Sequence, residues 1–83
     1  MIMDDSTSMT YLLVVAKSAL NDLLPGEEFM VEDLFRPFEW KRLDLEIHED
    51  LERLFSDYAD NEGASIIEVL GETDSLQQLY RKR

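Results

Sequence analysis

Cysteine is absent from this sequence, which excludes disulfides, thiolate metal sites and thiol catalysis. Histidine occurs once, so a metal site would have to rest on carboxylates and His48 alone. Bases are scarce as well: eight against nineteen acids, a formal net charge of −11. A surface of that sign repels phosphate backbones and anionic lipid and favours basic partners. Long apolar runs are also lacking. The longest, Tyr11 to Ala16, falls far short of the ~20 residues of a membrane span, and the first residues lack the basic start and apolar stretch of a signal peptide. The expectation is a cytoplasmic protein with no membrane contact.

What is present is 45% apolar content over 83 residues, enough for one small domain that buries roughly 60–65% of its unfolded surface. The apolar residues concentrate between Phe29 and Trp40, where Phe29, Met30, Val31, Leu34, Phe35, Phe38 and Trp40 include three of the four phenylalanines and the single tryptophan. Rings of that size dominate a small core, so the apolar faces on either side are expected to close over this segment, with Trp40 and Phe38 inside.

Residues 1–8 read as a flexible N-terminus and residues 9–83 as one domain. Asp4-Asp5-Ser6-Thr7-Ser8 offers side chains that accept from the exposed N–H groups of a helix start. From Met9 to Leu24, Met9, Leu12, Leu13, Ala16, Leu20, Leu23 and Leu24 recur at spacings of three and four, one face of a helix. Pro25-Gly26 ends it. Glu27 to Met30 can be extended, and Glu32 and Asp33 suit the N-terminus of a short helix through Arg36 that Pro37 stops or re-aims.

Asp44 is a credible N-cap for a second long helix in which Ile47, Leu51, Leu54, Phe55 and Tyr58 share one face. The other face carries Glu46, Glu49, Asp50, Glu52, Arg53, Asp57 and Asp60. Asn61-Glu62-Gly63 supplies the stop. Ser65 to Leu70 is rich in β-branched residues, Gly71 to Asp74 has turn chemistry, and Ser75 to Tyr80 reads as a returning strand or as a helical turn. The fold class expected is α+β: three helices, one of them short, then a C-terminal β-hairpin, in the order of a winged helix.

Several words of the sequence, namely Phe29-Met30-Val31-Glu32-Asp33-Leu34-Phe35, Glu39-Trp40, Leu54-Phe55 and Gln77-Gln78-Leu79-Tyr80, resemble a small bacterial and phage family catalogued as domain of unknown function 1413. The resemblance covers roughly residues 27 to 82. It implies a compact single-domain protein of bacteria that carry mobile elements, and some members of the family bear a single-stranded DNA-binding label. This sequence departs from the family pattern in its second long helix, where Glu46-Ile47-His48-Glu49-Asp50-Leu51-Glu52-Arg53 is acidic and the family tends to have bases and a glycine.

No nucleophile, glycine-rich phosphate loop or paired-carboxylate motif stands out. Glu27-Glu28 and Asp4-Asp5 are neighbours that point apart in regular structure, and lone His48 reads as a surface residue. The expectation is a non-enzymatic interaction protein without cofactor or metal. Residues 25–62 hold 13 acids and 4 bases, so its surface of contact is either the acidic face of Glu46, Glu49, Asp50, Asp57 and Asp60 meeting a basic protein, or a small basic patch of Lys41, Arg42, Arg81, Lys82 and Arg83 meeting nucleic acid, which the net charge disfavours. An acidic DNA mimic that inhibits a restriction or CRISPR nuclease is the alternative. The first helix carries Val14 and Val15 beside its leucine stripe, and a homodimer through it would cover that surface.

Overall fold

The computed structural model describes residues 5–75 and 77–83. Helix α1 runs from Asp5 to Ala19 and tightens into a 3-10 turn at Leu20–Asp22. It therefore starts one turn before Met9, and its last part is 3-10 rather than α-helix, with Leu23 already extended. Pro25 keeps the chain from re-entering a helix by disfavouring the helical region for Leu24, the residue ahead of it. Residues 1–4 and Leu76 lie outside the described residues.

Gly26 has φ +94°, a left-handed conformation that needs glycine. In that conformation its N–H donates to the Lys82 carbonyl at 2.7 Å. The turn delivers strand β1, Glu28–Phe29, onto strand β3, Gln78–Lys82. A 3-10 turn at Val31–Leu34 follows, closed reciprocally: Met30 N–H donates to Asp33 Oδ2 at 2.9 Å and Asp33 N–H donates to the Met30 carbonyl at 3.0 Å.

Pro37 corrects the expectation of a short helix through Arg36. That piece ends at Leu34, and Pro37 is the first residue of helix α2, Pro37–Lys41. Proline suits a first helical turn, where its missing N–H would be unpaired anyway. Helix α3 occupies Leu45–Asp60 with Asp44 at its N-cap and Asn61 at its C-cap, as its periodicity predicts.

Strand β2, Ile67–Glu72, pairs antiparallel with β3, and β3 also pairs antiparallel with β1. The sheet order is β1-β3-β2. The strand alternative for Ser75–Tyr80 is the one adopted, displaced to Gln78–Lys82. Instead of a two-stranded hairpin the structure has a three-stranded sheet with β3 in the middle. Its register slips between Val69 and Gly71, where Gly71 at φ +109° absorbs the bulge. The architecture is thus α+β, three helices and a small antiparallel sheet among the described residues.

The core comprises Ala16, Leu20, Phe29, Val31, Leu34, Phe35, Leu51, Phe55, Ala59, Ile67 and Tyr80. Phe29, Phe55 and Tyr80 form its centre: Phe29 stacks on Tyr80 at 5.5 Å, and Phe55 meets both rings edge-on at 6.2 and 5.1 Å. Each large side chain buried there contributes roughly 1.5–3 kcal/mol. The Phe29–Trp40 segment is the hub its composition predicts, except that Phe38 is 49% exposed and Trp40 only packs against the core from outside. No helix of the described residues is long and apolar enough to cross a membrane.

Candidate functional site

Helix α3 presents three sides, because its residues advance by about 100° each. Leu51, Phe55 and Ala59 are buried and Tyr58 packs against them. Glu46, Glu49, Asp57 and Asp60 are exposed, and Asp50 is half-buried and paired with Arg53. Those six charged residues fall within one narrow stripe. From Glu46 to Asp60 it is about 21 Å long. The four exposed acids have no ion-pair partner among the described residues, whereas the bases of the chain are largely engaged elsewhere.

Arg36 faces Glu39 at 3.9 Å. Lys17 sits 4.5 Å over the Tyr58 ring and Arg42 sits 5.1 Å from the Phe38 ring. Arg81, in the central strand, bridges Glu28 at 3.3 Å and Glu68 at 3.2 Å, and the two carboxylates raise its already high pKa. Arg83 donates through Nε to the carbonyls of Ala64 at 3.0 Å and Ile67 at 3.2 Å. Of the bases expected in a nucleic-acid patch, Arg81 and Arg83 are thus tied to the sheet and its approach, while Lys41 and Arg42 close α2.

The third side of α3 is the one the sequence pattern did not reveal. His48, Glu52 and Ser56, one turn apart, run along the flank facing the 31–34 turn and Tyr80. His48 stacks on Trp40 with ring centroids 3.9 Å apart and planes within 4°, and its Nε2 lies 2.8 Å from the Trp40 carbonyl. It is therefore a packing residue rather than a plain surface histidine. Glu52, grouped by spacing with the solvated acids, turns inward: its Oε1 is shielded from solvent and has no hydrogen-bond partner. Burial raises the Glu52 carboxyl above its ordinary value, the Glu32 charge adds to that, and His48 opposes it.

At the inner end of this seam the Tyr80 side chain is 0% exposed and its hydroxyl is also unpartnered. Burial pushes that hydroxyl up to about 12; the Ser56 hydroxyl works against the shift, and the Glu52 and Asp60 charges add to it. A signal for the seam does exist in the sequence. His48, Glu52 and Ser56 share i, i+4 spacing on a flank adjoining the core stripe, but nothing local says which flank is covered.

Beside the seam a cavity of about 380 Å³ opens between Glu32, Asp33, Phe35, Pro37, Trp40 and Lys41. Phe35 and Trp40 meet at 5.6 Å with planes 33° apart, so two rings wall a space whose rim holds two acids. Further round α2, a smaller hollow of about 210 Å³ is lined by Tyr11, Leu12, Val15, Phe35, Glu39, Arg42 and Leu43. Among the described residues no three His, Cys, Asp or Glu side chains converge as metal ligands would.

Residues 14–82 match the model of a family described as Domain of unknown function (DUF1413). No curated protein and no solved structure matches the chain.

Proposed function

The chain belongs to the DUF1413 family, and we propose that it is a non-enzymatic interaction or regulatory protein of a bacterium, phage or mobile element, acting through the acidic stripe of α3 on a partner with a basic surface. The observation that carries this is the contrast between the two signs of charge. Glu46, Glu49, Asp57 and Asp60 are exposed on one rigid helix and have no ion-pair partner among the described residues, while Arg36, Arg53 and Arg81 are neutralised by neighbouring carboxylates. Unpaired charge aligned on a rigid element steers association with an oppositely charged surface.

The order β1-β3-β2, with β1 between α1 and α2, supports a winged-helix-like reading of the fold. In such a fold α3 takes the place of the helix that enters a major groove, and there its carboxylates oppose the phosphates. Nucleic-acid binding is disfavoured accordingly. A fluorescent single-stranded or duplex DNA titrated with the protein at 50 mM salt should show no anisotropy change up to ~10 μM; salt-sensitive micromolar binding would reverse the assignment and direct attention to Lys82 and Lys41.

The alternative is a DNA mimic that blocks a restriction or CRISPR nuclease. Five acids and one base over about 21 Å give the stripe a net charge about two-thirds that of one DNA strand, which carries about six phosphates over that length, and about one-third that of a duplex. A mimic inhibits nuclease digestion in proportion to the acids retained; an ordinary interaction module leaves digestion unchanged.

Self-association has its own surface. Between Thr10 and Asn21 the exposed positions are Thr10, Tyr11, Val14, Ser18 and Asn21, all uncharged and on one face, with Tyr11 63% and Val14 53% exposed. In a chain of net charge −11, this is the strip where a second copy meets the least like-charge repulsion, and a two-fold pairing of α1 with its counterpart would bury it.

A further inference from the structure

We propose that the hollow between Trp40 and the 31–34 turn receives one arginine side chain of the basic partner, as an anchor beside the acidic stripe. The assignment rests on the interface proposed for α3 and adds to it a specific point of attachment.

Wall chemistry and charge agree on the occupant. The cavity of about 380 Å³ lies in the range of small-ligand pockets and admits a side chain together with water. Phe35, Pro37 and Trp40 give it flat apolar walls, and indole is the best aromatic partner for a cation. His48 covers one face of Trp40 and Phe35 meets the ring at 5.6 Å, which fixes the indole, and Trp40 lines the hollow with the surface these two rings leave uncovered. A planar guanidinium stacks on such a surface and keeps its edge donors for carboxylates, which an ammonium does less well.

The carboxylates stand at the rim. Asp33 is held in place by the Met30 N–H on Oδ2. Glu32 has no ion-pair partner among the described residues, and its charge is close enough to Glu52 to be felt there. Glu32 and Asp33 thus bring two carboxylates to the cavity without an ion-pair partner among the described residues. Lys41, the one base lining the cavity, forms no ion pair with Glu32 or Asp33. It is exposed at the end of α2, where its ammonium competes with an incoming cation.

Trp40 is the only tryptophan, so its emission reports the pocket directly. The probes are N-acetyl-arginine methylamide and its neutral isostere N-acetyl-citrulline methylamide, titrated at 150 mM salt. The arginine probe should give a saturable, millimolar change, and the citrulline probe should bind at least tenfold more weakly. Glu32→Gln should weaken the arginine response about fivefold and Lys41→Met should strengthen it about twofold. Equal responses to the two probes, or a response indifferent to Glu32→Gln, would overturn the pocket.

A stripe variant (Glu46→Gln, Glu49→Gln, Asp57→Asn, Asp60→Asn) and an octa-arginine peptide separate this site from the wider interface. If Trp40 ignores the arginine probe while octa-arginine binding still needs the stripe, the anchor is wrong and the interface stands. If Trp40 responds while the stripe variant binds octa-arginine as tightly as the parent, the cation pocket stands and the α3 interface is wrong.

Discussion

Replacing Tyr80 with phenylalanine is expected to stabilise the domain. The side chain is 0% exposed, its ring is held by Phe29 at 5.5 Å and Phe55 at 5.1 Å, and its hydroxyl makes no hydrogen bond of normal geometry, the Ser56 hydroxyl being near enough only to oppose its pKa shift. Phenylalanine keeps both ring contacts and removes a polar atom whose unpaired burial costs about 1–3 kcal/mol. With partial relaxation around the ring, Tyr80→Phe should gain about 1 kcal/mol, or a rise of about 4–8 °C in melting temperature for a domain of this size. Urea melts followed by circular dichroism should show a higher midpoint with unchanged slope. The pH dependence provides a second signature. The folded-state pKa, about 12, lies above the unfolded value of 10.0, so the folded state favours the neutral phenol and stability falls as pH rises from 10 through 12. The linked loss is about 2 kcal/mol by pH 12, and Tyr80→Phe should lack it. A destabilisation of 1 kcal/mol or more in Tyr80→Phe would refute this reasoning and show that the hydroxyl holds a real hydrogen bond, with Ser56 the nearest candidate on α3.

Other expectations concern the same seam and the α1 surface. Glu52 has a raised pKa, so its ionised form is disfavoured in the fold at neutral pH and the penalty is relieved as pH falls through the folded value toward the unfolded 4.5. Glu52→Gln should therefore stabilise at pH 7 by about 0.5–1 kcal/mol, a discounted figure for a partly buried carboxylate, and the advantage should vanish near pH 4 in paired urea melts. His48→Ala removes a stacked ring and a contact to the Trp40 carbonyl, at a cost of about 1–2 kcal/mol, and should shift Trp40 emission to longer wavelength. Val14→Glu should leave the thermal unfolding of the monomer within about 0.5 kcal/mol, yet abolish any dimer seen by light scattering; a dimer that survives it does not use α1.

Much of this architecture is legible in the sequence, and the failures have physical causes. Helix α3 was readable end to end because Asp44, the Leu51/Phe55 spacing and Gly63 all agree on its limits. The hub was readable because Phe29, Val31, Leu34 and Phe35 are too apolar to lie outside. Pro37 misled, since a proline stops one helix and starts another with the same locked φ, and only the following chain decides. The sheet order was hidden because Glu28 and Phe29 pair with Arg81 and Tyr80 across half the chain, and such long-range pairing leaves no local trace. Glu52 was grouped with its solvated neighbours for a similar reason: periodicity defines the flanks of a helix, while tertiary packing decides which flank is covered. The exposure of Glu46, Glu49, Asp57 and Asp60 follows from their spacing, while Asp50 lies in the same stripe half-buried and paired with Arg53.

The proposal that α3 is the interface is tested most directly by two variants of equal net charge. One neutralises the stripe residues Glu46, Glu49, Asp57 and Asp60; the other neutralises four exposed acids away from it, Glu27, Glu62, Glu72 and Asp74. Both carry −7. Each is titrated with octa-arginine at 150 mM salt while amide shifts are mapped across the chain. A stripe interface requires at least tenfold weaker binding in the first variant, less than threefold in the second, and wild-type shifts concentrated in residues 46–60. Equal losses in both variants, with shifts spread evenly over the acids, would contradict it and reduce the stripe to a solvated helix face.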